Sequence, residues 1–128
     1  MPKKILIIDD DIDLVEALRL TLEKEGFIVV DAQDGKKGLE KVKNEKPDLI
    51  LLDVMMETQD EGFHVAYQLR KDKETSDIPI IMLTAVGQET GFSFDKDKDE
   101  NFLPVNEFVE KPINPDTLVE ICKTQLGL

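Results

Sequence analysis

Short apolar runs alternate along the chain with longer segments in which apolar residues recur every three or four positions. The short runs are typical of β-strands buried on both faces, and they predict strands at residues 4–8, 27–30, 49–52, 78–83 and 106–109. The longer segments predict α-helices over residues 12–25, 36–45, 61–72 and from 115 onward. Strands that alternate with helices are expected to be parallel, with right-handed crossovers. The pattern therefore predicts an α/β fold with a sheet covered on both sides.

The alternation is interrupted between the fourth and fifth strands. Residues 86–105 include Gly87, Gly91, Pro104 and a run of charges at 95–100. Glycine and proline disfavour a helix interior, so we expect the fourth helix of the series to be short or irregular. A loop of this length in a compact domain is usually functional or mobile.

Composition limits the classes of protein that fit. The 128 residues are enough for one domain with its own core, which we expect to span 1–128, and 41% of them are hydrophobic. The 16 basic and 28 acidic residues give a net charge of −12, which disfavours nucleic acid binding. A lone cysteine, Cys122, fits a reducing compartment, and no apolar stretch approaches the roughly 20 residues of a membrane helix. We expect a cytoplasmic protein, monomeric or weakly dimeric.

Charged side chains follow three of the predicted strands. Asp9 and Asp10 end the first, Asp53 ends the third, and Lys111 follows the fifth. Because parallel strands end at one edge of the sheet, we expect these side chains to meet. Gathered carboxylates repel each other unless a cation joins them, which predicts a divalent metal site for Mg²⁺ or Mn²⁺. The lysine indicates an anion as the second ligand.

Phosphoryl transfer to a carboxylate is the chemistry that such a site favours. Asp53 could accept a phosphoryl group as an acyl phosphate, since this transfer depends mostly on positioning and charge neutralisation. Lys111 could contact one phosphoryl oxygen and the Thr84 hydroxyl another, while Ala85 is small enough to leave an approach path. Each residue alone is a weak signal, and the set together is a strong one.

Four segments closely resemble the receiver domains of two-component response regulators, and the resemblance runs from about residue 3 to residue 126. The segments are Ile5–Asp10, Leu51–Met56, Met82–Ala85 and Glu110–Ile113. The resemblance implies a flavodoxin-like, doubly wound sheet of five parallel strands in the order 2-1-3-4-5. It also implies a phosphorylation-controlled switch that receives phosphate from a histidine kinase or a histidine phosphotransfer protein and then acts on a downstream protein.

The resemblance also implies roles for individual residues. Asp53 is the implied phosphoacceptor, and the metal ligands are Asp9, Asp10, Asp53 and the backbone carbonyl of Met55. The implied phosphoryl-binding and switch residues are Thr84, Ala85, Lys111 and Phe108. The peptide bond before Pro112 is expected to be cis. Such a domain assists its own phosphorylation and dephosphorylation, but it is not an enzyme that acts on metabolites.

Two other functions remain open from the sequence. The first is a receiver-like module that binds partners without phosphorylation, which the atypical 86–105 region and Glu57, where the family often has proline, keep possible. The second is a hydrolase that uses an aspartyl phosphate, as haloacid dehalogenase-like phosphatases do, with Asp9 and Asp11 on the first strand. The chain has no room for the cap of such enzymes. The single histidine, His64, is expected on the surface, and Cys122 in the core.

Overall fold

A computed structural model of the chain describes residues 2–54, 61–85 and 105–128. Within these ranges five parallel strands form one sheet in the order β2-β1-β3-β4-β5. The strands are β1 (Lys4–Ile8), β2 (Ile28–Ala32), β3 (Leu49–Asp53), β4 (Ile80–Ala85) and β5 (Glu107–Lys111). The helices of the described ranges are α1 (Ile12–Lys24), α2 (Gly35–Glu45), α3 (Glu61–Lys71) and α4 (Pro115–Gln125). The predicted fold class and strand order are confirmed.

Side-chain alternation along the strands divides the core into two layers. Odd-numbered strand residues such as Ile7, Leu51 and Leu83 pack with buried residues of α1 and α4. Even-numbered residues such as Leu6 and Leu52 pack with α2 and α3 on the opposite face. Both faces of β1 and β3 are therefore buried, which is why these strands read as unbroken apolar runs in the sequence.

At the N-termini of three helices, a capping side chain accepts a hydrogen bond from a backbone amide of the first turn. Asp11 accepts from Leu14 at α1, Asp34 caps α2, and Asn114 accepts from two backbone amides at α4. Each cap satisfies amides that have no partner within the helix. The helices therefore begin close behind the strand ends, and α1 begins just beyond Asp9 and Asp10.

The bounds of β2, β3, β4 and β5 differ from the sequence prediction by one or two residues. β4 begins at Ile80 rather than Ile78, because the Ile78 amide bonds to the Thr75 carbonyl in a turn and Pro79 has no amide proton to donate. β2 extends to Ala32 rather than ending at residue 30. The polar Asp31 is tolerated in this edge strand because Arg19 pairs with its carboxylate. The prediction for a short or irregular helix over 86–105 concerns residues 86–104, which lie outside the described residues.

Cys122 lies in the α1–α4 layer and is fully buried. Burial raises the pKa of its thiol to about 12, so the reactive thiolate is scarce at neutral pH. We therefore expect the native protein to resist a thiol-specific reagent at about pH 8, whereas the chain in denaturant reacts at once. Equal reaction rates in the two states would contradict this burial.

Within the described ranges, no helix combines the length and the apolar content that a bilayer span requires.

Candidate functional site

The carboxyl edge of the sheet brings together four of the charged residues predicted from sequence, and we call this group the acidic site: Asp9, Asp10, Asp53 and Lys111. The Lys111 ammonium lies 3.2 Å from Oδ2 of Asp9 and 3.4 Å from Oδ1 of Asp53. Asp9 is fully buried, Asp53 is 4% exposed, and Asp10 is exposed. The site therefore has a buried floor and a side open to solvent.

Strand register explains why these residues meet. Asp53 stands opposite Leu83 in the β3–β4 ladder, and Lys111 stands opposite Ala85 in the β4–β5 ladder. Asp53 and Lys111 hold odd-numbered positions, so they lie on the face of the sheet that α1 and α4 cover. Although 58 residues separate them in sequence, the topology places both at the end of one face.

The Asp9 carboxylate is held in place by its own turn. Its Oδ1 atom accepts a hydrogen bond of 2.9 Å from the Asp11 amide, a local arrangement typical of aspartate after a strand. Its Oδ2 atom is buried and, among the described residues, has no aligned hydrogen-bond donor despite its ion pair with Lys111. A buried carboxylate oxygen in this state favours a further cationic ligand.

Lys111 is a cation held by two carboxylates. Burial alone lowers the pKa of its ammonium, but the charges of Asp9 and Asp53 outweigh that effect, and the pKa is raised. Lys111 is therefore fully charged at neutral pH. With Asp10 included, one positive charge faces three carboxylates, so the acidic site keeps a net negative charge.

The donor set of the acidic site fits a small divalent cation. Carboxylate oxygens of Asp9, Asp10 and Asp53 lie within 4.8 Å of one another, and hard oxygen ligands of this kind suit Mg²⁺ or Mn²⁺. Oδ2 of Asp9, which accepts no hydrogen bond from the described residues, supplies a buried ligand atom. Asp10 faces the solvent from which an ion would enter. The residues present therefore fit the metal that the sequence predicts.

Gly62 sets the distance between α3 and the strand that carries Asp53. A Cβ atom at this position would lie 2.2 Å from the Asp53 carbonyl oxygen and 2.7 Å from Cα of Val54. The Gly62 amide also donates a hydrogen bond of 2.9 Å to the Val54 carbonyl. The first turn of α3 therefore touches the backbone of the acidic site. Sequence reasoning did not include Gly62 among the site residues, although glycine before an apolar helical run is a signal of close backbone approach.

Thr84 and Phe108 lie on the face of the sheet opposite the Asp53–Lys111 side. Thr84 is buried near the end of β4 and stands opposite Glu110. Phe108 is half-buried against the α2–α3 layer and stands opposite Met82. The two are diagonal neighbours across β4 and β5, which is the proximity that a coupled movement requires.

The structure describes some of the remaining residues that the sequence singled out, but not Met55. Ala85 is the last residue of β4, and Met55 lies outside the described residues. The Lys111–Pro112 peptide bond is cis, the isomer that the resemblance implies. His64 is exposed on α3 and lies away from the acidic site, in a cavity between α2 and α3 with a volume of about 580 Å³. That cavity contains none of the charged residues gathered at the sheet edge, so we place the chemistry at the acidic site.

A doubly wound α/β sheet with carboxylates and a lysine at its carboxyl edge defines a class of phosphoryl-handling domain, and comparison with known proteins identifies the family. The sequence profile of the response regulator receiver domain matches residues 5–123. The chain therefore belongs to the response regulator receiver domain family.

Individual relatives agree with this assignment. The chain is 36% identical to the protein PilH of Pseudomonas aeruginosa, with 97% of this chain and 98% of PilH aligned. It is 43% identical to the alkaline phosphatase synthesis transcriptional regulatory protein PhoP of Bacillus subtilis, over 90% of this chain but 45% of PhoP. The chain thus spans less than half the length of that regulator.

Solved structures show the same fold. The chemotaxis protein CheY4 of Vibrio cholerae superposes with a TM-score of 0.82 at 29% identity, over 97% of this chain and 98% of CheY4. A CheY-like receiver domain protein from Methanospirillum hungatei gives the same TM-score and identity, over 99% of this chain and 95% of that protein.

Proposed function

We propose that this chain is a phosphorylation-controlled signalling switch in which Asp53 accepts a phosphoryl group from the phosphohistidine of a histidine kinase or a histidine phosphotransfer protein. The observation that carries the proposal is the convergence of Asp9, Asp53 and Lys111, which places a carboxylate nucleophile beside a fixed cation. Family membership supports the same reaction.

The transfer is a displacement at phosphorus. A carboxylate oxygen of Asp53 attacks the phosphorus atom, and the bond between phosphorus and the imidazole nitrogen breaks. The electron pair leaves with the imidazole, and the product is an acyl phosphate on Asp53. The surroundings of Asp53 need to hold the reactants and offset negative charge, and they need no acid–base group.

The residues around Asp53 have distinct roles in this proposal. Lys111, already 3.4 Å from Asp53, pairs with a phosphoryl oxygen and orients it. Asp9 and Asp10 hold the metal together with Asp53, and the Met55 carbonyl is the further ligand that the resemblance implies. When bound, Mg²⁺ or Mn²⁺ supplies the positive charge that offsets the phosphoryl oxygens.

The output of the switch would be a change of surface at β4 and β5. When Asp53 is phosphorylated, the Thr84 side chain moves toward the acidic site and its hydroxyl donates to a phosphoryl oxygen, beside the approach path that the small Ala85 leaves. Phe108 then turns into the space that Thr84 vacates. Phosphorylation adds close to two negative charges and new acceptor oxygens, so it biases an equilibrium between two packings. A downstream protein that binds one packing more tightly therefore responds to whether Asp53 is phosphorylated.

The domain is proposed to act within the cytoplasm as a single unit over residues 1–128. Its only chemistry would be to assist its own phosphorylation and dephosphorylation. PhoP is named a transcriptional regulatory protein, and the chain spans less than half of it. The net charge of −12 on this chain disfavours contact with nucleic acid phosphates, so we propose a protein partner for this chain, and no nucleic acid.

Intact-mass measurement tests the proposal. Incubated with a small phosphodonor such as acetyl phosphate and Mg²⁺, the protein is expected to gain the mass of one phosphate, and Asp53→Asn is expected to gain none. Unchanged mass in both proteins would favour the phosphorylation-independent module. Turnover of a phosphate ester that is lost in Asp9→Asn but retained in Asp53→Asn would instead favour a hydrolase.

A further inference from the structure

The end of the sheet opposite the acidic site contains a polar cluster that the proposed reaction does not use. Oδ1 of Asn106 accepts two hydrogen bonds of 2.9 Å, from the Ile80 amide and from Nη2 of Arg70. The Asn106 amide donates to the Ile80 carbonyl at 2.8 Å. We call Arg70 and Asn106 the β5 clamp, because Asn106 directly precedes β5.

Arg70 ties this cluster to α3 and to the connection between α3 and β4. Its Nη1 atom donates to the carbonyls of Ser76 at 3.0 Å and Ile78 at 2.8 Å. Burial lowers the pKa of the guanidinium, and Asp77 partly offsets this, but an arginine stays charged at any physiological pH. The clamp therefore joins three elements with charge-assisted hydrogen bonds, which are stronger than neutral ones.

Hydrophobic burial alone specifies the register of β5 weakly. Phe108 packs against the α2–α3 layer and Val109 against the α1–α4 layer, and both are only partly buried. A slip of one residue would still leave an apolar side chain on each face. A one-residue slip reverses the faces of a strand, and it would bring Glu110 or Pro112 into the position of Lys111 opposite Ala85.

We propose that Arg70 and Asn106 are positioning residues that fix the register of β5 and so hold Lys111 beside Asp9 and Asp53. Asn106 stands opposite Ile80, one step before the Ile81–Glu107 pair with which the ladder begins. β5 has five residues, so the clamp acts on Lys111 from the far end of a short strand. The functional part of this inference rests on the proposed function of Asp53.

The test uses variants that remove the clamp and keep every residue of the acidic site. Asn106→Ala and Arg70→Met are each expected to slow phosphorylation of Asp53 by acetyl phosphate by about tenfold or more, because small misplacements of a catalytic group have effects of this size. Asn106→Asp keeps an acceptor for both hydrogen bonds and is expected to restore most of the rate. Failure of this rescue would overturn the inference.

Arg19 offers a matched control on the opposite edge of the sheet. Its guanidinium donates to the Val29 carbonyl at 2.8 Å and pairs with Asp31, so it secures β2 as Arg70 secures β5. Arg19→Met is expected to lower stability in urea without slowing phosphorylation. If Arg19→Met slows the reaction as much as Arg70→Met, a general loss of stability explains both and the inference fails.

A double variant separates action through Lys111 from any other route. If Asn106 acts by placing Lys111, then adding Asn106→Ala to Lys111→Met should slow phosphorylation no further than Lys111→Met alone. Additive effects would overturn the inference.

Nuclear Overhauser contacts between paired residues of β4 and β5, measured in Asn106→Ala, report the register without any phosphodonor. They therefore test the inference even if the wild-type protein takes up no phosphate, the result that would defeat the proposed function.

Discussion

Replacing Lys111 by methionine is expected to slow phosphorylation of Asp53 by about a hundredfold, the usual effect of removing one oriented donor from a developing anion. Methionine keeps much of the side-chain length but carries no charge, so no fixed cation remains 3.4 Å from Asp53. The rate constant is measured by intact mass against time at saturating acetyl phosphate and Mg²⁺. A variant that incorporates phosphate at the wild-type rate would contradict the role of Lys111.

The same substitution is expected to lower the free energy of unfolding in metal-free buffer. Without the ammonium, the buried carboxylates of Asp9 and Asp53 lose the cation that they share, and the loss of one member of a buried ion pair costs several kcal/mol in a closed interior. Because the acidic site opens to water beside Asp10, we expect about 2 kcal/mol. Urea unfolding measures this difference, and Mg²⁺ should reduce it by joining the same carboxylates.

The pH dependence of that difference follows from the raised pKa of Lys111. A group whose pKa is higher in the folded state stabilises the fold fully below its unfolded value and loses that effect as the pH rises through the folded value. The difference between wild type and Lys111→Met should therefore stay constant from about pH 7 to 9 and shrink above the ordinary lysine value of 10.5. Lys111→Arg keeps the charge and is the control.

The elements that sequence reasoning predicted well are those whose signal lies in neighbouring residues. β1 and β3 are buried on both faces, so their sequences contain almost only apolar residues. The parallel order then requires that Asp9, Asp53 and Lys111 share one edge. For this reason, residues that are far apart in the sequence can be assigned to one site from the sequence alone.

Contacts that depend on the packing of distant elements could not be predicted in this way. Arg70 and Asn106 are 36 residues apart, and each alone is typical of an ordinary surface residue. The distance of α3 from β3 depends likewise on Gly62, whose role follows from a collision with backbone atoms rather than from a pattern. The start of β4 differs from the sequence prediction for the same kind of reason, because the Ile78 amide already donates to the Thr75 carbonyl in a turn.

Substituting alanine for Gly62 is expected to be the most disruptive single-methyl change in the described part of the chain. The added Cβ would lie 2.2 Å from the carbonyl oxygen of Asp53, far inside contact distance, and backbone atoms cannot turn away as a side chain can. The first turn of α3 must therefore move off the end of β3. We expect a loss of about 3 kcal/mol in the free energy of unfolding, at the upper end for overpacked sites.

Gly38 provides the matched control, because it is also a buried helical glycine with a close neighbour. A Cβ at Gly38 would meet Cδ1 of Ile8 at 2.6 Å and its Cγ1 and Cγ2 atoms at 3.0 Å, so the clash is with a side chain and not with backbone. The gain of about 1 kcal/mol in helix propensity offsets part of that clash, so Gly38→Ala should cost less than Gly62→Ala, about 2 kcal/mol at most. Gly62→Ala should in addition slow phosphorylation in the fraction that remains folded, because the moved turn contacts the backbone of Asp53. Equal losses of stability in the two variants, with unchanged phosphorylation rates, would show that the contact between α3 and β3 does not constrain the acidic site.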